Sequence, residues 1–247
     1  MNISVGSIYP SNNFGDFKVL EIKNSREVLI EFVATGFRQI ISKQAVTLGR
    51  AKDKLVPSVF GVGVIGSKYP TKENGVLCRE YKVWVRILER CFSDDYQRKY
   101  PTYKGCGLSE NFKSYEYFYE WCNRQKGFCY APKWHLDKDL LGGGNFYSEQ
   151  TCIFLPSEVN VAFTKSDAKR GSLPLGVHSK NGKFIASCKK GSDKRKYIGA
   201  FETKEQAFNA YKLEKESYIK SLAEKYKQDL DPRAYKALVS YKVSIND

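Results

Sequence analysis

A single stretch decides how this chain is interpreted: Trp134–Lys165, WHLDKDLLGGGNFYSEQTCIFLPSEVNVAFTK. It predicts a strand over Trp134–Leu141, a sharp reversal at three consecutive glycines, and a short apolar strand over Cys152–Leu155. Glycine allows the reversal because it takes positive φ without a steric penalty. The following Pro156-Ser157-Glu158 is typical of a helix start, so the stretch predicts strand, glycine loop, strand and helix in that order.

This order of elements resembles the ββα-metal core of HNH nucleases. Cores of that family present an acidic residue on the first strand and an Asn or His on the helix, which together hold one divalent cation. The resemblance assigns these places to Asp137 and Asn160, whose carboxylate and amide oxygens suit a hard ion such as Mg²⁺. A cation there would polarise a scissile phosphate and stabilise the leaving oxygen.

One position departs from the family pattern. The general-base histidine of the family follows the metal-binding Asp, and this chain has Lys138 there. His135 lies two residues before Asp137, so it would share the strand face of Asp137 and is the alternative base. Without a metal, the same stretch predicts a small structural αβ unit in which Asp137 and Asp139 make loop hydrogen bonds.

The charge of the chain favours a polyanionic partner. Its 247 residues include 41 Lys or Arg against 27 Asp or Glu, a formal net charge of +14 with a pI of about 9.3. The segment from Lys165 to Lys196 holds ten Lys or Arg against two Asp, so a net +8 is concentrated there. Nucleic acid is favoured over a membrane, because no apolar run approaches the ~18 residues of a spanning helix and no signal peptide is recognisable.

The cysteines favour a reducing compartment. There are seven, an odd number, without a CxxC pair, and only His135 and His178 could join them on a metal. We therefore expect no structural zinc site and reduced thiols in a cytoplasm, the host cytoplasm if the protein is phage-encoded.

The sequence predicts an α+β protein with four segments. Residues 1–52 carry short alternating strands with tight turns and predict a small SH3-like, β-barrel-like module. Residues 53–76 form an apolar connector, which should pack against a domain. Residues 77–165 combine two helices, whose aromatic stripes are typical of core, with the ββα-like stretch. Residues 166–247 form the basic C-terminal segment.

Strand patterns run through the basic segment. Leu175–Ser179 and Lys183–Lys190 flank Asn181-Gly182, the strongest short signal for a hairpin turn, and a third strand is predicted over Arg195–Ile198. Strict alternation along the second strand divides its residues between two faces. One face has Phe184, Ala186 and Cys188, and the other has Lys183, Ile185, Ser187 and Lys189.

A helix should follow these strands. Thr203 and Gln206 fit a capping box at its start. Its predicted apolar side consists of Ala207, Phe208, Ala210, Tyr211 and Leu213. Asp231-Pro232 predicts the start of a last short helix.

Three strands and a packed helix, with the phrases LGVHSKNGKFIAS and KYIGAFETKEQAFNAY, are similar to the ethylene-response-factor (APETALA-type) DNA-binding domain over roughly residues 174–219. In that family the sheet lies in the major groove of duplex DNA. The contact positions that the resemblance implies are His178, Lys180, Lys183, Ser187, Lys189, Arg195 and Lys196. The family relies on arginines, whose guanidinium groups contact guanine edges bidentately, whereas this chain offers mostly lysine, so phosphate binding is inferred rather than strong base readout.

The combined order of modules resembles phage-encoded HNH or homing-endonuclease-type proteins. Two functions follow. The first is a metal-dependent DNA endonuclease, in which a cation bound by Asp137 and Asn160 acts on a DNA phosphate. The second is a non-catalytic, repressor-like regulator that kept the DNA-binding domain. Lys138 at the base position favours the regulator, and the retained Asp137 and Asn160 favour the nuclease. An RNA-binding module fits the charge as a third class, with less support from motifs.

Overall fold

The computed structural model describes residues 2–130, 133–163, 173–191 and 195–245. The predicted α+β class is confirmed, since seven helices and several small antiparallel sheets alternate over these residues. The chain divides into two compact units, Met1–Glu120 and Trp121–Asp247. The finer division into four segments stays a prediction. None of the described helices is both long and apolar enough to cross a bilayer.

The first unit begins with a four-stranded antiparallel meander in the order β1-β2-β3-β4. Its strands are β1 (Ile8–Ser11), β2 (Gly15–Ile22), β3 (Glu27–Phe32) and β4 (Arg38–Ser42), followed by α1 (Lys43–Thr47). Alternate residues of β2 and β3 build the core, among them Phe17, Val19, Val28, Ile30 and Phe32. The sheet is open rather than closed into a barrel. Alternation in the sequence reports one buried face, and it cannot distinguish an open sheet from a closed one.

The rest of the first unit is built around a long helix. The elements are β5 (Lys72–Glu73), β6 (Val76–Leu77), α2 (Arg79–Phe92), α3 (Asp94–Lys99), β7 (Gly107–Leu108) and α4 (Tyr115–Arg124). The division between the two units falls within α4. The aromatic stripe of α2 is core, since Trp84 is fully buried and its indole N–H donates to the carbonyl of Phe112 at 2.7 Å. The connector packs on α2 so closely that a Cβ at Gly63 would lie 2.6 Å from Leu88.

The second unit contains the ββα arrangement that the sequence predicts. Its elements are β8 (Trp134–Asp137), β9 (Phe146–Tyr147), β10 (Ile153–Pro156) and α5 (Ser157–Ala162). β8 and β10 pair antiparallel, with Asp137 opposite Ile153, and α5 packs against both strands. Gly142 and Gly144 take φ values of 76° and 57° in the reversal between the strands, a conformation that favours glycine.

A three-stranded antiparallel sheet with a long helix forms the remainder of this unit. Its elements are β11 (Val177–Lys180), β12 (Lys183–Cys188), β13 (Lys196–Phe201), α6 (Lys204–Lys225) and α7 (Pro232–Ser240). The predicted hairpin is confirmed: Asn181 and Gly182 have φ values of 51° and 75°, the two positive angles of a type I′ turn. The capping box of Thr203 and Gln206 is also present.

One face of this sheet and α6 share a core. The buried side chains include Val177, Ala186 and Cys188 from the strands and Ala207, Phe208 and Tyr211 from the helix. The prediction for Leu213 is wrong, since its side chain is 73% exposed. Leu213 follows Tyr211 by two residues, which places it about 200° further around the helix and away from the sheet.

Candidate nucleic-acid interface and metal centre

The outer face of the three-stranded sheet lies opposite α6. Cross-strand neighbours define it: Lys180 pairs with Lys183, and His178 pairs with Ile185, which in turn pairs with Ala200. The alternate row, which includes Val177 and Ala186, belongs to the core against the helix. His178, Lys180 and Lys183 are exposed, so the hairpin brings these three predicted contact residues together on one accessible surface.

Positive charge on this sheet is not balanced by acids within it. Among the described residues from 177 to 201 there are six Lys or Arg and no Asp or Glu: Lys180, Lys183, Lys189, Lys190, Arg195 and Lys196. All of them are exposed except Lys190, which is half-buried. Such a surface attracts polyanions.

Neighbouring glutamates engage three of these cations. The ammonium of Lys183 lies 2.9 Å from Oε1 of Glu202, which directly follows β13. Lys190 and Lys196 lie 2.7 and 2.9 Å from Oε1 of Glu214 on α6. Their hydrogen bonds lower the pKa of Glu214. Lys196 therefore reaches toward the helix side of the sheet rather than the outer face.

The other predicted cations of the interface are not neutralised by a neighbouring acid. Within the described residues, Lys180, Lys189 and Arg195 make no ion pair, and neither does His178. The charges of Lys180, Lys189 and Arg195 are available to an external anion.

Ser187 is buried, although it keeps the side of β12 that alternation assigns to it, since both Ala186 and Cys188 belong to the core against α6. The register of the β12–β13 pair shifts between Ala186 and Ser187. Ala186 pairs with Gly199, whereas Ser187 pairs with Tyr197, so β13 holds one extra residue, Ile198. At this β-bulge three consecutive residues of β12, Ala186 to Cys188, become buried. Ser187 is 6% exposed, and its hydroxyl has no hydrogen-bond partner in the part of the chain that the structure describes. The expectation that Ser187 is exposed beside Lys183 is therefore wrong.

Three residues that the resemblance did not mark also belong to the outer face. Ile185 and Ala200 pair with each other at its centre. Tyr197 is 62% exposed and precedes Ile198, whose side chain packs against the core, so Tyr197 points outward. Alternation already placed Ile185 on this face. Assigning Tyr197 and Ala200 to the outer face requires the position of the β-bulge, which nothing in the sequence indicates.

The ββα arrangement brings the predicted metal ligands onto adjacent elements, Asp137 at the end of β8 and Asn160 on α5. Oδ1 of Asp137 accepts hydrogen bonds from the backbone N–H groups of Asp139 and Leu140, at 3.1 and 2.9 Å. Burial raises the pKa of Asp137 despite these bonds. Oδ1 of Asn160 is buried and has no hydrogen-bond partner among the described residues, although buried polar atoms are rarely left unpaired.

Asp137 and Asn160 offer oxygen donors, the kind that hard cations accept. In the described ranges, no group of three or more His, Cys, Asp or Glu side chains could hold a metal. Asp137 and Asn160 would contribute one carboxylate and one amide oxygen, a small set of the kind that suits Mg²⁺, which retains several waters. The unpaired oxygen of Asn160 is the observation that favours such an ion over a purely structural unit.

The two candidate bases differ sharply in their surroundings. The imidazole of His135 is exposed, and His135 lies opposite Leu155 in the β8–β10 ladder. Lys138 is buried, and its ammonium donates to Oδ1 of Asp139 at 2.5 Å and to the carbonyl of Gly144 at 2.7 Å. Its hydrogens are thus directed into the glycine loop, which weighs against a role for Lys138 as the base.

Comparison of this chain with protein-family models, with curated proteins and with solved structures finds no match.

Proposed function

We propose that this chain binds duplex DNA through the outer face of its C-terminal sheet, with lysine and arginine side chains on the phosphates. The observation that carries this proposal is a sheet with six cations and no acid among its described residues, of which Lys180, Lys189 and Arg195 make no ion pair there. Phosphate contacts of this kind supply most of the affinity of non-specific DNA binding.

The dimensions of the sheet suit the major groove. Neighbouring strands lie about 4.8 Å apart, so the outer strands β11 and β13 are separated by about 10 Å. The major groove of B-DNA is about 12 Å wide and admits β-structure. The resemblance to APETALA-type domains, in which a three-stranded sheet occupies that groove, supports the same placement.

A charge-reversal experiment tests this proposal. Fluorescence anisotropy with a labelled random-sequence duplex would compare the full chain with the double variant Lys180→Glu/Lys189→Glu. We expect binding to weaken by roughly tenfold or more, because two phosphate contacts become repulsive. Lys220→Glu/Lys236→Glu is the matched control, since it changes net charge equally at exposed positions on the helices. Equal loss in both variants, or in neither, contradicts the proposal.

A second candidate function is metal-dependent DNA cleavage, favoured by the unpaired Oδ1 of Asn160. Asp137 and Asn160 would hold a divalent cation such as Mg²⁺, which when bound would polarise the scissile phosphate. His135, with an exposed imidazole two residues before Asp137, would accept the proton of the attacking water.

Incubation of the chain with plasmid DNA and Mg²⁺ or Mn²⁺ tests cleavage. We expect Asp137→Ala to abolish cutting and to preserve DNA binding, while His135→Ala cuts slowly. Cutting by Asp137→Ala would remove this site from consideration. Absence of cutting by the parent with every divalent metal favours the repressor-like regulator instead.

Either function suits a cytoplasm, because all seven cysteines lie within the described residues and none forms a disulfide there.

A further inference from the structure

The outer face of the C-terminal sheet has an apolar centre and a charged rim. Ile185 on the central strand lies between His178 on β11 and Ala200 on β13. Neither Ile185 nor Ala200 belongs to the core against α6. Exposed Lys180 and Lys183 lie at the hairpin end of the face, while exposed Lys189 and Arg195 flank the opposite end of the strands. Phosphate binding accounts for the cations at both ends of this face and leaves the aliphatic pair at its centre unexplained.

We infer that Ile185 and Ala200 contact the 5-methyl groups of thymines in the major groove. This inference rests on the proposed DNA-binding function and names the sequence feature that the sheet prefers. The bases present hydrogen-bonding groups along their major-groove edges, and the methyl of thymine is the apolar group there. An isoleucine or alanine side chain cannot make a hydrogen bond, so the favourable partner for either is that methyl.

The spacing of the pair agrees with stacked thymines. Side chains directly opposite each other in antiparallel strands have Cβ atoms about 5 Å apart. Successive bases along one strand are about 3.4 Å apart, so Ile185 and Ala200 can contact one thymine methyl together or the methyls of two adjacent base pairs. The exposed ring of Tyr197 lies three residues before Ala200 on β13 and adds apolar surface beside them.

The charge of the face argues against a second copy of this chain as its occupant. Two such faces would bring eight Lys and Arg residues of like charge together, since each has exposed Lys180, Lys183, Lys189 and Arg195 at its rim. Thymine-containing DNA satisfies both parts of the surface, with phosphates at the cations and methyls at the apolar centre.

The test uses two DNA libraries that differ only in the methyl group. A random-sequence duplex library would be amplified once with thymidine triphosphate and once with deoxyuridine triphosphate, and both would compete for the chain. We expect the parent to bind thymine DNA more tightly, by about fourfold for each methyl contacted. Ile185→Ala should lower this ratio toward one, and Ile185→Val, which keeps a branched aliphatic side chain, should retain most of it.

Lys180→Ala is the control variant, because it should weaken the binding of both libraries and leave their ratio unchanged. Circular dichroism of Ile185→Ala establishes that the sheet is still folded. Equal affinity of the parent for both libraries, or an undiminished thymine preference in folded Ile185→Ala, overturns the inference and leaves the DNA-binding proposal intact. Failure of the parent to bind either library overturns the DNA-binding proposal itself.

Discussion

The hydroxyl of Tyr226 donates a hydrogen bond of 2.9 Å to Oε2 of Glu158. Lys225 forms an ion pair with the same carboxylate, and the hydroxyl of Tyr218 lies 3.4 Å from Oε1. Glu158 is on α5, which also carries Asn160, whereas Tyr218 and Lys225 are on α6, which supports the basic sheet. This carboxylate therefore fixes the candidate metal core against the helix of the candidate DNA-binding domain.

The first prediction concerns the pH dependence of this contact. The hydrogen bond from Lys225 and that from Tyr226 hold the pKa of Glu158 below its ordinary value of 4.5. A carboxylate whose pKa is depressed on folding stabilises the fold above the unfolded pKa, and this contribution disappears as pH falls through the folded pKa. We expect Glu158→Gln to lower the Tm at neutral pH, and this difference should shrink as the pH falls below 4.5.

Thermal unfolding followed by circular dichroism from about pH 7 to about pH 3 measures this difference. Glu205→Gln is the control, because Glu205 is exposed on the same unit and lies 3.9 Å from its nearest cation. A Tm difference between parent and Glu158→Gln that stays constant across this range would contradict the assigned role of the carboxylate.

A second prediction concerns Glu202, whose Oε1 lies 2.9 Å from the ammonium of Lys183. Glu202→Gln should tighten DNA binding severalfold at low salt, because it removes a negative charge beside the phosphates and releases Lys183. The gain should shrink as salt screens the charges. Glu110→Gln is the control, because it breaks an ion pair of 2.7 Å between an exposed glutamate and half-buried Lys113 in the other unit. Similar affinities of Glu202→Gln and Glu110→Gln in a low-salt titration would count against phosphates at this end of the sheet.

A third prediction tests the packing of the sheet on α6. Gly176 has a φ of 78°, and a Cβ there would lie 2.1 Å from Cδ2 of Tyr211. Gly182 has a φ of 75° with nothing within 4 Å of the corresponding position. Alanine at either site carries the left-handed penalty of about 1–2 kcal/mol, but only Gly176→Ala adds a clash with the ring. Urea denaturation should show Gly176→Ala to be clearly the less stable variant, and equal losses would contradict this packing.

The fourth prediction separates a metal-binding Asn160 from a structural one. A ligand that binds only the folded state raises its stability, so millimolar Mg²⁺ should raise the Tm of the parent. The increase should vanish in Asp137→Ala and in Asn160→Ala. Without added metal, Asn160→Ala should cost little stability, because it removes a buried oxygen that has no partner among the described residues. If neither Mg²⁺ nor Mn²⁺ changes the Tm of the parent, the metal-binding role of Asn160 is contradicted and the ββα unit has a structural role alone.

Local chemistry accounts for the parts of this fold that the sequence predicts. Asn181-Gly182 specifies a type I′ turn by its backbone preferences, and Thr203 with Gln206 specifies a helix start by hydrogen bonds within four residues. These signals require no knowledge of distant contacts. They sufficed to place β11, β12 and α6, and with them the row of His178, Lys180 and Lys183.

Features that depend on tertiary context were not predictable. The bulge opposite Ser187 arises from one extra residue in β13, and no residue type marks it. The position of Lys138 depends on the carbonyl of Gly144, six residues away in a loop whose path only the fold determines. Within the candidate sites, the sequence therefore indicated which residues to consider, and their burial and partners came from the structure.

The central claim is that cations on the outer sheet face contact DNA phosphates, and the salt dependence of binding tests it most directly. The logarithm of the association constant falls linearly with the logarithm of salt concentration, by about 0.9 for each phosphate neutralised. We predict a steep slope for the parent and a slope shallower by about 1.8 for Lys180→Ala/Arg195→Ala, since two contacts are lost. Lys220→Ala/Lys236→Ala should keep the slope of the parent. A slope for Lys180→Ala/Arg195→Ala that equals the slope of the parent would contradict the claim.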